Sequence, residues 1–309
     1  MTAKNEAAKS LKQRLHSLME LSQSQPSLIE SIRYVMDHYC GEDIKRLTAL
    51  TENISVQFET FDGEWFVPSK CNTKRRVLFL HGGGWVSGSV DTHRHLIADI
   101  AEQSACAVLA INYRLAPEHK YPKGLNDCIE AYQLICSNGP KQKSEAEEIT
   151  IIGDSCGGNL SVVTTLHSIK NQLRVPDKLV LLSPVLDVSN QSNEPCGVDD
   201  LIVSREGMKQ ITQEYLEQDS LALSETQEVS PIKTDKSFLK LFPSTLLQVG
   251  TEEYLRDETI CFAKRLWELN KTVQLSVWPH MPHDFQLFAK ELTEAREAIR
   301  EICQFISPE

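Results

Sequence analysis

No run in this sequence approaches the roughly 18 consecutive apolar residues that mark a membrane-spanning helix, so no part of it is expected to cross a bilayer. Its amino terminus has no apolar signal segment, because Lys4, Asn5, Glu6, Lys9 and Lys12 interrupt it. There is no Lys/Arg-rich run either. With 32 basic against 43 acidic residues the formal net charge is −11, a field that repels phosphate backbones, and nucleic acid is set aside as a partner. The nine cysteines contain no C-x-x-C pair, which removes zinc knuckles and dithiol redox motifs. Their number is odd and several sit in apolar runs, which reads as reduced, mostly buried thiols in a cytoplasmic protein. Internal repeats and low-complexity segments are also missing.

What remains is an ordinary globular composition. The chain has 309 residues, 41% of them hydrophobic and 24% charged, long enough to bury a core without disulfide or metal support. The first fifty residues read as helices. Leu11, Leu15, Leu18 and Met19 share one helical face, and after Gln25-Pro26-Ser27 a second face follows in Ile29, Ile32, Val35 and Met36, ending near Gly41. Strand candidates then alternate with helical stretches. Ile54–Phe61, Arg76–Leu80, Ala105–Asn112, Ile149–Gly153, Lys178–Leu182, Ser244–Val249 and Val273–Trp278 read as strands. Lys123–Ser137, Ser155–Asn171, Asp257–Asn270 and Ala289–Ile306 read as helices. The alternation predicts an α/β fold with a mostly parallel central sheet flanked by helices. Residues 188–230 interrupt it with no strand signal. They carry a helical pattern near Met208, Ile211 and Tyr215, and an insertion of that length is usually a lid or a binding segment.

Gly153-Asp154-Ser155-Cys156-Gly157 matches G-x-S-x-G, a pattern that chance supplies to roughly one chain in ten of this size. Its context raises its value. An apolar strand precedes it and a helical pattern (Leu160, Val163, Leu166) follows, which makes a strand–turn–helix nucleophile elbow with Ser155 at the tip. The helix amino terminus aims free N–H groups and the positive end of its dipole at that serine. A second glycine cluster, His81-Gly82-Gly83-Gly84-Trp85, follows the strand Val77-Leu78-Phe79-Leu80. Three glycines leave backbone N–H groups uncovered, as an oxyanion requires, and the N–H of Cys156 adds a donor just after the nucleophile. The cluster lacks the spacing of a phosphate-binding loop, and His81 reads as a loop-fixing residue.

A serine in such an elbow needs a base and an acid further along the chain, acid first. His280 and His283 both follow the last strand, and position alone does not separate them. Glu252, Glu253 and Asp257 follow the preceding strand, and any of the three could orient an imidazole.

Taken together these residues resemble the hormone-sensitive-lipase-like family of α/β-hydrolases, in its bacterial carboxylesterase branch with a GDSAG-type elbow. The resemblance spans about residues 76–290. It rests on His81 to Trp85, Tyr113-Arg114-Leu115-Ala116-Pro117-Glu118-His119, Gly153 to Gly158, Leu255-Arg256-Asp257-Glu258, and His283 ahead of Phe285. It implies an α/β-hydrolase fold with a helical cap. The cap would be built from residues 1–50 and 188–230, over a catalytic core of residues 51–187 and 231–309. It implies His283 as base and Glu253 as acid, where the family more often has aspartate, with Gly83, Gly84 and Cys156 as oxyanion donors. Cys156 replaces the usual alanine and Asp284 the glycine that commonly follows the base. Tyr113 to His119 would shape a loop. The implied activity is hydrolysis of small short- to medium-chain acyl esters through an acyl-enzyme, with Trp85 as a substrate-binding wall. Neither metal nor organic cofactor is called for, and a homodimer through edge elements is available. Two other readings stay open on the same residues: a non-catalytic small-ligand receptor, and a hydrolase of amides, peptides or acetylated substrates. A basic first helix resting on a membrane is the less favoured use of the amino terminus.

Overall fold

A computed structural model describes residues 3–39, 50–191 and 200–307. Its strands are β1 (Thr51–Gln57), β2 (Asp62–Pro68), β3 (Asn72–Leu80), β4 (Cys106–Asn112), β5 (Glu148–Asp154), β6 (Lys178–Leu182), β7 (Ser244–Gly250) and β8 (Val273–Trp278). They form one eight-stranded sheet in the order β1-β2-β4-β3-β5-β6-β7-β8. β2 runs antiparallel to both β1 and β4, and every later pairing is parallel. The expected mostly parallel sheet is therefore present.

The central strands are apolar at nearly every position because both faces are covered. Successive side chains point to opposite faces and enter two separate cores. Leu78, Leu80, Leu109 and Ile151 join α4 (Lys123–Ser137), α5 (Ser155–Lys170) and α8 (Arg256–Trp267) on one side. Val77, Phe79, Val108 and Ile152 join α1 (Ala3–Ser22), α3 (Val90–Ser104) and α9 (Thr293–Ile306) on the other. No helix among the described residues is long and apolar enough to cross a membrane.

Some local expectations change. The strand expected over 54–61 is β1 followed by a turn, with the Phe58 N–H donating to the Phe61 carbonyl at 3.0 Å and the chain returning as β2. Phe58 and Phe61 are buried and stacked 4.0 Å apart on either side of the exposed Glu59-Thr60 tip, and this apolar pair makes the turn read as strand. The helix α3 was not anticipated, although Ser89 and Thr92 form a capping box at its start. The last helix begins at Thr293 rather than Ala289, after a 3₁₀ turn over Phe285–Phe288.

Leu11, Leu15 and Leu18 on α1 are buried, as their spacing predicts. The second helix, α2 (Leu28–Tyr39), is described as far as Tyr39, and its expected end near Gly41 lies outside the described residues. Arg33 fixes α2 to the body of the fold: Nε donates to the Val86 carbonyl at 2.9 Å, and the guanidinium pairs with Glu118 at 2.7 Å. In the 188–230 segment the described part contains no strand. It supplies α6 (Arg205–Tyr215) and a 3₁₀ turn over Gln218–Glu225, while Asn193, Pro195 and Gly197 fall outside the described residues; the short α7 (Lys236–Leu239) follows it.

Candidate active site

β3, β5, β7 and β8 are parallel and in register at their carboxyl ends. Leu80 lies opposite Gly153, Asp154 opposite Leu182, Leu182 opposite Gln248, and Gly250 opposite Trp278. The loops that leave these strands therefore meet along one edge of the sheet, where open α/β sheets gather their ligands. Those loops carry the glycine cluster, Ser155, Glu253 and His283.

Ser155 opens α5 with a left-handed φ of 52°, a strained value for a side chain that is not glycine. The strain persists because the surroundings leave no alternative. A side chain on Gly157 would overlap the Leu80 carbonyl oxygen, so only glycine lets α5 pass so close to β3. The bend turns Ser155 Oγ toward His283, whose Nε2 is 3.0 Å away. His283 Nδ1 is 3.1 Å from Glu253 Oε2. Glu253 is itself fully buried, and its other oxygen accepts hydrogen bonds from the Ser183 hydroxyl at 2.8 Å and the Gly250 N–H. The Tyr39 hydroxyl donates to the His283 carbonyl at 2.9 Å, so α2 braces the loop that carries the histidine.

The other candidates stand elsewhere. Glu252 is paired with Lys12, and its second oxygen lies 3.5 Å from His280, which is largely exposed. Asp257 accepts from Arg256 Nε at 2.8 Å on the first turn of α8. Glu258, named above only within the Leu255 to Glu258 string, is fully buried and accepts the Leu186 N–H at 2.6 Å, a structural contact.

On the opposite side of Ser155 the glycine loop closes. The Gly82 N–H donates to Asp154 Oδ2 at 3.0 Å, and the Trp85 N–H to Cys156 Sγ at 3.1 Å. Between these anchors, the N–H groups of Gly83 and Gly84 have no acceptor among the described residues, and both glycines line the cavity beside Ser155. Gly83 has a φ of 115°, in the region that favours glycine. The loop is also held from behind. The Tyr113 hydroxyl donates to the His81 carbonyl at 2.7 Å, and Ala116 N–H to the Trp85 carbonyl at 2.9 Å. His81 stacks on Tyr113 at 4.2 Å, and burial, reinforced by the nearby His93, pushes its imidazole down to about 3. Burial likewise pushes the Cys156 thiol up to about 12, so both stay uncharged supports.

Trp85 does not line the cavity. Its ring is buried and stacked on Tyr215 at 4.4 Å, where it supports α6 from beneath. Two residues without a role in the sequence reading enter the site. His93 on α3 makes a buried pair with Asp154, Nε2 to Oδ2, at 2.9 Å. Asp284, immediately after His283, is buried against the His283 imidazole. The glycine expected after the base marked Asp284 as a departure; nothing in the sequence marked His93.

The cavity above Ser155 has a volume of about 310 Å³. Met19, Ile32, Val35 and Met36 of α1 and α2 form one wall, and Ile202, Val203, Met208 and Ile211 form the other. Tyr39, Ser155, His283 and Asp284 reach its floor. Among the described residues, no group of three or more histidine, cysteine, aspartate or glutamate side chains is placed to hold a metal ion.

Residues 77–287 match a family model described as the alpha/beta hydrolase fold. An esterase of Acinetobacter venetianus is 31% identical over 241 residues, covering 77% of each chain. An ethyl acetate hydrolase of Pseudomonas putida is 27% identical over 233 residues, 72% of this chain and 70% of that protein. Among solved structures, EstE5 soaked with p-nitrophenyl butyrate superposes with a TM-score of 0.82 at 26% identity, covering 96% of this chain and 97% of the other. A hormone-sensitive lipase from a metagenome library superposes with a TM-score of 0.82 at 27% identity and the same coverage.

Proposed function

The chain belongs to the alpha/beta hydrolase family and is a carboxylic ester hydrolase, and we propose that Ser155, His283 and Glu253 form its catalytic triad, acting on small esters with short to medium acyl chains. The observation that carries this reading is the unbroken line of contacts from Ser155 Oγ to His283 Nε2 at 3.0 Å and from His283 Nδ1 to Glu253 Oε2 at 3.1 Å.

The steps follow from that line. Glu253 takes a hydrogen bond from Nδ1–H, which leaves Nε2 as the acceptor of the serine proton. As Ser155 Oγ attacks the ester carbonyl, His283 takes its proton and the carbonyl oxygen becomes an oxyanion. That oxygen moves toward the N–H groups of Gly83, Gly84 and Cys156, donors worth about 3–4 kcal/mol each when aligned. His283 then protonates the leaving alcohol, and an acyl-Ser155 ester remains. Water, deprotonated by the same imidazole, attacks the acyl carbon and returns the serine with release of the acid.

The helices of 1–50 and the 188–230 segment act in this reading as a cap. Their apolar residues make the acyl wall, and among the described residues no Lys or Arg lines it. Each acyl methylene buried there contributes about 0.8 kcal/mol, roughly a fourfold gain in kcat/KM. The expected result of an acyl series of p-nitrophenyl esters is a stepwise rise from acetyl through the medium chains. A fall should follow once the chain outgrows the cavity. A flat profile, or a rise continuing into long fatty acyl groups, would remove the chain-length assignment.

A further inference from the structure

Two groups compete for one nitrogen of His283. Ser155 Oγ and Asp284 Oδ2 both lie 3.0 Å from Nε2. A ring nitrogen carries either one lone pair or one proton, so it cannot serve both. Without a proton it accepts the Ser155 hydroxyl and meets the Asp284 carboxylate lone pair against lone pair. With a proton it forms an ion pair with Asp284 and cannot act as a base. In the second state the charged ring lies between two carboxylates, Glu253 beside Nδ1 and Asp284 beside Nε2. Asp284 is buried, and its Oδ1 has no hydrogen-bond partner.

We propose that Asp284 is a second acid on the catalytic imidazole, a positioning residue that holds the resting ring as an imidazolium through Nε2 and so decides how much of it is free to take the Ser155 proton. This inference rests on the triad reading above.

The surrounding charges fit the role. Asp284 faces His283 and, across the elbow, the buried Asp154–His93 pair; Glu253 lies beyond the ring, and the uncharged Cys156 thiol is nearby. Burial pushes the Asp284 carboxyl up to about 6, opposed by His283 and His93 and reinforced by Asp154, so at neutral pH it is ionised. Burial also disfavours a charged His283, yet Asp284 and then Glu253 outweigh it and hold the imidazole well above its usual range. General-base catalysis requires the neutral ring, so activity rises with pH as that imidazolium loses its proton to solvent. Removing the Asp284 charge lowers the imidazole pKa and moves the rise to lower pH.

Asp284→Asn and Asp284→Gly are the variants of choice, because the left-handed φ of 51° at this position suits asparagine and glycine. Two measurements apply. The first is kcat/KM for a chromogenic acyl ester from about pH 5 to about pH 9. The second is the ¹⁵N-histidine NMR titration of His283 in a Ser155→Ala background, its signals assigned by their loss in His283→Gln. The expected result is an acid limb at least about one pH unit lower in both variants. Activity below the native limb should then rise about tenfold, and the NMR transition should move by the same amount. An unmoved or raised limb overturns the proposal, as does a neutral His283 at pH 7 in the Ser155→Ala protein with Asp284 intact. Those outcomes leave the triad standing; turnover retained by Ser155→Ala would instead remove the triad itself.

Discussion

Replacing Ser155 by alanine is expected to lower kcat for a chromogenic acyl ester by about 10⁴-fold or more, with KM and thermal stability near native. The size follows from what is lost. Without Oγ no acyl-enzyme forms, and only the amide cradle and the cavity remain to help water directly. The fold should tolerate the change. The left-handed turn is imposed by the strand–helix approach at Gly157, not by the hydroxyl, whose one hydrogen bond among the described residues is with His283. Steady-state kinetics with a thermal melt on the same sample decides it. Activity within tenfold of native in a folded variant would remove the nucleophile.

The acid should be almost as sensitive. Glu253→Gln is expected to reduce kcat by about 10²- to 10⁴-fold, while Asp257→Asn stays within a few-fold of native. The asymmetry comes from the neighbours of Glu253. One of its oxygens accepts from the Gly250 N–H and the Ser183 hydroxyl, so a glutamine in that place keeps its carbonyl oxygen there. Its NH₂ then faces His283 Nδ1. The ring must accept at Nδ1 and carry its proton on Nε2, the tautomer that cannot deprotonate Ser155. Asp257 touches Arg256 and has no such leverage. A larger loss from Asp257→Asn in parallel kinetics would reassign the acid.

Much of the fold could be read from the residues because a strand buried on both faces is an apolar run. Val77–Leu80 and Leu179–Leu182 could hardly be anything else. The same logic failed at the sheet edge. The turn between β1 and β2 is closed by two stacked phenylalanines, and this apolar pair masks the polar Glu59-Thr60 tip between them. Helix α3 was hidden by its polar first turn, where His93 is buried only because Asp154 meets it. At the site, the ordered motifs brought Ser155 and the glycine loop within reach. The choice among Glu252, Glu253 and Asp257 depends on which loop position faces His283, a tertiary distance that spacing along the chain does not encode. Trp85 illustrates the same limit. Its place after three glycines suggested a wall of the pocket, but its left-handed φ of 61° accompanies a ring stacked on Tyr215, outside the cavity. Asp284 could be seen as a departure from the related pattern, yet its contact with Nε2 emerges only from the bend of the loop.

The most direct measurement of the central claim is mass spectrometry of the protein after reaction with a fluorophosphonate, a reagent that phosphonylates a serine activated by a neighbouring imidazole. The expected result is a single adduct that maps to Ser155 and is lost in His283→Ala. An adduct on another residue, or none on a folded protein that still turns over esters, would contradict it.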